Sequence, residues 1–276
     1  IHRNAFAVSP DCRRLVFSPD DVVELVWDID KQETTGQFSG HQSPVTCFVF
    51  SPDGEKIASG SWDNVLRIWD PANGTELSTL SGHTGTIWDV AWSDDGRFVA
   101  TIGDDGLALI WDVASGAQKH KIVLGASGRR IRISHDSSLV GTRGDNQSLR
   151  LWDMETGTLQ QSFLAGEHGT SKFEFSRDGS RLAVSENGIH ISSVRTGGEL
   201  LHIDDINGSR DCAFGFVTPA LYVATTDALL ELTPASWDAV QLASTTLLPE
   251  HERVSVLRGN RPPRRQPNEA VKSITS

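Results

Sequence analysis

The sequence has 276 residues, a formal net charge of −11, 38% hydrophobic and 22% charged residues, with eight Trp, one Tyr, one Met and 25 Gly. That balance excludes wholesale disorder, and the Trp- and Gly-rich mixture fits many short strands separated by turns. No run of about 18 apolar residues is present, so no membrane helix is expected, and an acidic body gives poor electrostatics for nucleic acid.

The three cysteines, Cys12, Cys47 and Cys212, make no CxxC or Cys/His ligand spacing. We therefore expect no zinc site or disulfide framework, no metal and no cofactor. The chain opens on Ile1-His2-Arg3 without a recognisable signal peptide, and the expectation is a cytoplasmic protein with reduced thiols.

In chain order, the first apolar run ends at Val8 and is followed by the turn Ser9-Pro10-Asp11. The turn returns as Ser51-Pro52-Asp53, Ser93-Asp94-Asp95, Ser134-His135-Asp136 and Ser176-Arg177-Asp178, with Val217-Thr218-Pro219 as a worn sixth copy, at steps of 42, 42, 41, 42 and 41 residues. A Trp lies 18 positions after each of the first four serines, at Trp27, Trp69, Trp111 and Trp152, each followed by Asp. Chance does not produce that register four times.

Within the second period, VTCFVFS (45–51), EKIASGS (55–61), VLRIWD (65–70) and GTELSTL (74–80) are β-rich runs separated by turns. They predict a four-stranded antiparallel meander. The runs are apolar on both faces, as expected for a sheet packed between two copies of itself. A period of 40 to 45 residues closed by Trp-Asp is the spacing of propeller blades.

At these residues the chain resembles the WD40 repeat family over roughly 1–245. The resemblance is strongest where Gly40-His41 and Gly82-His83 precede a first strand and Trp69-Asp70 and Trp111-Asp112 close a third. The fourth copy keeps Trp152-Asp153 but has Leu124-Gly125-Ala126 in the Gly-His place. The fifth has His168 but reads HISSV where Trp-Asp belongs.

The resemblance implies an all-β propeller of six visible four-stranded antiparallel blades, at about 1–36, 37–78, 79–120, 121–162, 163–203 and 204–245. Seven copies of 42 residues would take about 294 residues, more than are present. The expectation is thus an open ring or an incomplete part of a seven-bladed one. The Pro/Arg-rich tail 246–276 is expected to be disordered.

His41, Ser59 and Asp63 have the residue types of a hydrolase triad. The set recurs 42 residues later as His83, Thr101 and Asp105, and an enzyme does not build its triad once per repeat. The family resemblance implies instead two buried hydrogen-bonded tetrads, His41/Ser59/Asp63/Trp69 and His83/Thr101/Asp105/Trp111. The first copy has Phe17 in the Ser59 place, although Asp21 and Trp27 remain, and the fourth has Thr142 and Trp152 with Asn146.

Other positions differ between copies. Five residues before the turn serine the series is Asn4, Thr46, Trp88, Arg129, Ser171 and Cys212; just before the tetrad Asp it is Asp20, Trp62, Asp104 and Asp145. In the family both positions face the top surface, where peptides dock. The candidate partner-binding residues are therefore Trp62, Trp88, Asp104, Thr46, Arg129 and Asp145, with the two Trp forming one aromatic patch beside the acids. Arg130, Arg132, Arg143 and Arg150 are read as a solvated blade edge, and His135-Asp136 as a solvated turn. The expected function is a non-enzymatic scaffold for a protein or peptide. The alternative is the sensor portion of a larger signalling enzyme with an ATPase, protease or kinase domain upstream, and a larger complex or parent chain is expected in either case.

Overall fold

A computed structural model of the chain describes residues 5–19, 23–146, 148–164, 172–185, 188–204, 211–214, 221–224 and 229–232. Asn4, Asp20, Asp21, His168, Ser171, the turn at Val217 and the tail 246–276 lie outside these residues, as does the side chain of Cys212. The chain divides into two units, Ile1–Glu231 and Leu232–Ser276.

The described residues are all β. The first blade holds β1 (Phe6–Val8), β2 (Arg14–Phe17), β3 (Glu24–Asp28) and β4 (Glu33–Phe38); the second β5 (Val45–Phe50), β6 (Ile57–Ser61), β7 (Val65–Trp69) and β8 (Glu76–Ser81). The third holds β9 (Ile87–Trp92), β10 (Phe98–Gly103), β11 (Leu107–Asp112) and β12 (Gln118–Val123). The fourth holds β13 (Gly128–Ile133), β14 (Leu139–Gly144), β15 (Ser148–Asp153) and β16 (Leu159–Leu164). The fifth holds β17 (Lys172–Phe175), β18 (Arg181–Ser185), β19 (Gly188–Ser193) and β20 (Glu199–Asp204); a three-stranded sheet of β21 (Asp211–Phe214), β22 (Leu221–Ala224) and β23 (Leu229–Leu232) follows. Each of the five is an antiparallel meander in sequence order, and the first strands β1, β5, β9, β13, β17 and β21 neighbour one another in that order.

The repeated serine turn has a physical cause. In all five copies the serine hydroxyl donates to the aspartate two residues on, at 2.5 to 2.6 Å. The same oxygen accepts the amide five residues on, at 2.8 to 2.9 Å. One buried hydroxyl thus closes the turn between the first two strands of each of these five blades. His135, in the Pro52 place, is not simply solvated: its Nδ1 lies 2.8 Å from Asp94 Oδ2 in the preceding blade's turn.

The core lies between sheets. Cys47, Ala58, Leu66, Ile68 and Leu80 of the second blade form one cluster with Ile87, Val90, Trp92, Val99, Leu107, Leu109 and Trp111 of the third. Similar clusters join the first to the second, the third to the fourth and the fourth to the fifth. This is why β6 and β10 are buried along their whole length, whereas the outer strand β8 is mostly exposed. Burial on both faces replaces the alternation of a one-sided sheet.

Two β-bulges recur. In the innermost strands of the second, third and fourth blades the strand register passes over Thr46, Trp88 and Arg129. In the outermost strands of all five blades it slips once near the start, as between Ile68 and Trp69 or between Ile191 and Ser192. A bulge frees one residue from the ladder and re-aims its side chain.

Candidate functional site

The residues of the two sets His41/Ser59/Asp63/Trp69 and His83/Thr101/Asp105/Trp111 are hydrogen-bonded to one another in the interior. Trp69 Nε1 donates to Ser59 Oγ at 2.7 Å, Ser59 bonds His41 Nε2 at 2.8 Å, and His41 Nδ1 meets Asp63 Oδ2 at 2.9 Å. Asp63 also accepts the amides of Gln42 at 2.9 Å and Val65 at 3.1 Å. In the third blade Trp111 Nε1 donates to Thr101 Oγ1 at 3.1 Å, His83 Nε2 lies 2.9 Å from that oxygen, and its Nδ1 lies 2.9 Å from Asp105 Oδ2. Asp105 accepts the Thr84 and Leu107 amides at 2.8 and 3.1 Å.

A neutral imidazole protonated at Nδ1 satisfies every group in this chain. Burial, the largest influence, pushes both histidines below their ordinary range despite the adjacent carboxylates. Burial alone would raise the Asp63 carboxyl, but the Gln42 amide and His41 outweigh it and hold it below its usual range. The glycine before each histidine is a matter of space: a Cβ on Gly40 or Gly82 would stand 2.9 or 2.8 Å from the Trp69 or Trp111 ring. With Ser59 and Thr101 fully buried, neither hydroxyl is open to a substrate. The fourth blade retains one link, Trp152 Nε1 to Thr142 Oγ1 at 2.7 Å.

The positions that vary between copies occupy equivalent backbone sites. Trp62, Asp104 and Asp145 each donate their amide to a carbonyl of the segment entering the same blade, at Pro44, Thr86 and Ser127, over 2.8 to 3.1 Å. Thr46, Trp88 and Arg129 are the bulge residues of β5, β9 and β13. The fold therefore fixes the backbone at both positions without fixing the side chain.

Four of the six candidate residues form one cluster. Arg129 grips Asp145 with Nε and Nη2 at 2.7 and 2.8 Å, and its Nη1 lies 3.3 Å from Asp104 Oδ1. Its guanidinium also lies 4.9 Å from the centroid of the Trp88 ring. The fork geometry and the ring face are both typical arginine partners. Asp145 and then Asp104 hold the guanidinium more firmly protonated than usual, against partial burial. Ser127 Oγ donates to Asp104 at 2.6 Å, so both acids are already engaged by neighbouring side chains.

The remaining two are placed differently. Trp62, in the neighbouring blade, is 51% exposed. Thr46 is half-buried, its hydroxyl within reach of the Gly60 carbonyl at 2.9 Å and of the Ile87 carbonyl in the next blade.

The other arginines correct the expectation of a solvated edge. Arg130 and Arg132 project from the inner strand β13 toward Asp89 of β9, at 3.8 and 2.9 Å, and Arg132 Nε also reaches Glu174 of β17 at 3.2 Å. Asp89 further accepts the Ile131 amide at 3.1 Å. Arg143 is fully buried, and Arg150 donates to the Leu124 carbonyl at 3.0 Å. Burial drives the Glu174 carboxyl above its ordinary value, against Arg132. It also pushes the Cys47 thiol up to about 12, aided by Asp89, which leaves that cysteine inert. Alternation alone separates Arg129 from Arg130 and Arg132; only the structure supplies their partners, because these come from other blades.

A family model described as WD domain, G-beta repeat matches residues 32–70 and 74–112. No curated protein matches the chain. Each matched span runs from the outer strand of one blade through the third strand of the next, the segment that carries one complete tetrad.

Proposed function

Starting from a chain that carries WD40 repeats, we propose that it is a non-enzymatic protein-interaction scaffold. It takes an extended peptide on the face bearing Trp62, Trp88, Arg129, Asp104 and Asp145. WD40 repeats generally serve protein interaction, and no helix among the described residues is long and apolar enough to cross a membrane. The observation that carries the reading is the inner-strand bulge. At one and the same backbone site, three successive blades present Thr46, Trp88 and Arg129. A site whose geometry is constant and whose chemistry changes from blade to blade is the requirement for specific recognition on a repeated frame.

Trp62 supplies the apolar anchor, since large exposed aromatics are costly without a partner and are enriched in hot spots. The cluster of Asp104, Asp145 and Arg129 keeps one net negative charge and a fixed geometry, which favours a peptide carrying one apolar and one basic residue. Thr46 borders the same face. The exposed free thiol of Cys12 fits a reducing, cytoplasmic setting, and the burial of Ser59 and Thr101 supports a non-catalytic role.

The test is affinity purification of the wild type against a Trp62→Ala/Trp88→Ala variant, with circular dichroism of both. The expected result is loss of the captured partners with an unchanged spectrum. Partners retained by the folded double variant would place recognition on another face.

A further inference from the structure

The outer strand of the fifth blade carries a second constellation, unconnected with the face just described. His190 on β19 pairs directly across the sheet with His202 on β20, and Ser192 pairs with Glu199. Directly opposed residues share a face, so His190, Ser192, Glu199 and His202 all project to one side. In a regular strand, residues three apart such as Glu199 and His202 would point to opposite sides. The bulge between them reverses that. His190 Nδ1 lies 2.8 Å from Glu199 Oε1, the two imidazole rings stack with centroids 4.0 Å apart, and one ligand atom from each of the three residues falls within 4.8 Å of the others.

The same backbone positions in other blades show what the fold itself asks for there. In the second blade they hold Arg67, Glu76 and Thr79, joined by Arg67 Nη1 donating to Glu76 at 2.6 Å and to Thr79 at 3.1 Å. In the third they hold Leu109, Gln118 and Lys121. An ion pair and a mixed apolar and polar trio both serve, so packing does not require two histidines and a glutamate. The fifth blade also has Ser192 at the position of Trp69. It therefore lacks the buried indole that ties the third strand of the second and third blades to their tetrads.

We propose that His190, Glu199 and His202 bind one divalent transition-metal ion of the zinc class, which clips β19 to β20 in the blade that lacks the Trp. Two imidazole nitrogens and one carboxylate oxygen are a known three-residue zinc ligand set, with the fourth position left to water. Bond lengths of about 2.0–2.1 Å place tetrahedral ligand atoms roughly 3.3 Å apart. The spread of up to 4.8 Å closes by side-chain rotation at the blade surface, where His190 is 33% and Glu199 51% exposed. The mixed nitrogen and oxygen set favours zinc over magnesium or calcium, which prefer oxygen alone.

The experiment is calorimetric titration of the chelator-treated full chain with ZnCl2, alongside MgCl2, and thermal unfolding with and without Zn2+. One equivalent of Zn2+ should bind and raise the melting temperature, while Mg2+ does neither. His190→Asn/His202→Asn should abolish both effects. Glu199→Gln, which keeps the side-chain shape, should weaken binding by at least about tenfold, since even outer-shell partners contribute 10–100-fold. His120→Gln, a change in another blade, should bind as the wild type does. Circular dichroism on each variant separates loss of ligands from loss of fold. Absence of one-equivalent binding to the wild type, or unchanged binding to the folded double histidine variant, overturns the assignment.

Discussion

Replacing Asp63 with Ala removes one carboxylate and strands three donors at once: His41 Nδ1 and the amides of Gln42 and Val65. The His41 and Asp63 side chains are 2% and 8% exposed, so water cannot fully replace the acceptor. A stranded buried donor costs about 1–3 kcal/mol. The Gln42 end is open enough to rehydrate, leaving a total of about 3 kcal/mol. For a folded unit of 150–250 residues each 1 kcal/mol corresponds to about 2–4 °C. The expected fall in melting temperature is therefore about 6–12 °C, read by circular dichroism. Asp104→Ala is the matched comparison: its carboxylate is 40% exposed and pairs with an arginine, which limits the cost to under about 1 kcal/mol. A melting curve for Asp63→Ala within about 2 °C of wild type, or equal effects from the two variants, would refute the structural role of the tetrad.

The tetrad histidines make stability depend on pH. Their folded values lie below the unfolded 6.5, so below that pH the unfolded chain binds protons that the folded chain refuses. Stability is at its full value above 6.5 and declines as pH falls below it, by up to about 1.4 kcal/mol per unit for each histidine, until the folded values are passed. Asp63 has a lowered folded value, so its contribution is present above 3.8 and is lost as pH falls further. Urea midpoints at pH 7.5 and 5 should differ accordingly, and His41→Gln/His83→Gln should flatten the difference; an equally steep variant defeats the account. Asp89→Ala leaves the Ile131 amide without its acceptor and Arg132 with Glu174, at about 2–3 kcal/mol. Asp94→Ala, which loses the exposed contact with His135, should cost under about 1 kcal/mol; equal urea midpoints for the two would argue against a structural role for the contacts of Asp89 with Arg132 and the Ile131 amide.

What was legible in the sequence is what the sequence repeats. The serine turns and the tetrads pair their polar atoms within a blade or its entering loop, so the same residue types return at the same spacing and the local chemistry can be inferred from one chain. The arginines of the fourth blade could not be read this way. Arg132 is held by Asp89 and Glu174 from the blades on either side, and no spacing within one period announces that. The partnership of Arg129 with Asp104 and Asp145 was likewise hidden, although all three residues could be singled out by their variation. The histidine and glutamate cluster of the fifth blade is illegible for another reason. A period of two puts Glu199 and His202 on opposite faces, and no residue in the segment signals the bulge that brings them together.

Bulges also explain where such a repeated frame can change without losing stability. A residue in the regular ladder has its face decided by its neighbours, and the ladder positions of β5 and β9 are mostly buried, so a side chain there is apolar or paired. Thr46, Trp88 and Arg129 stand outside that rule because the pairing passes over them. Their side chains are free to differ by size, charge and ring while the strands on either side keep their register. The outer bulge acts differently: the residues it brings to one face stay in the ladder, and there an ion pair in one copy becomes a histidine pair in another. Chemistry on this chain is therefore expected to concentrate at positions where the ladder slips, and a substitution there should alter binding well before it alters folding.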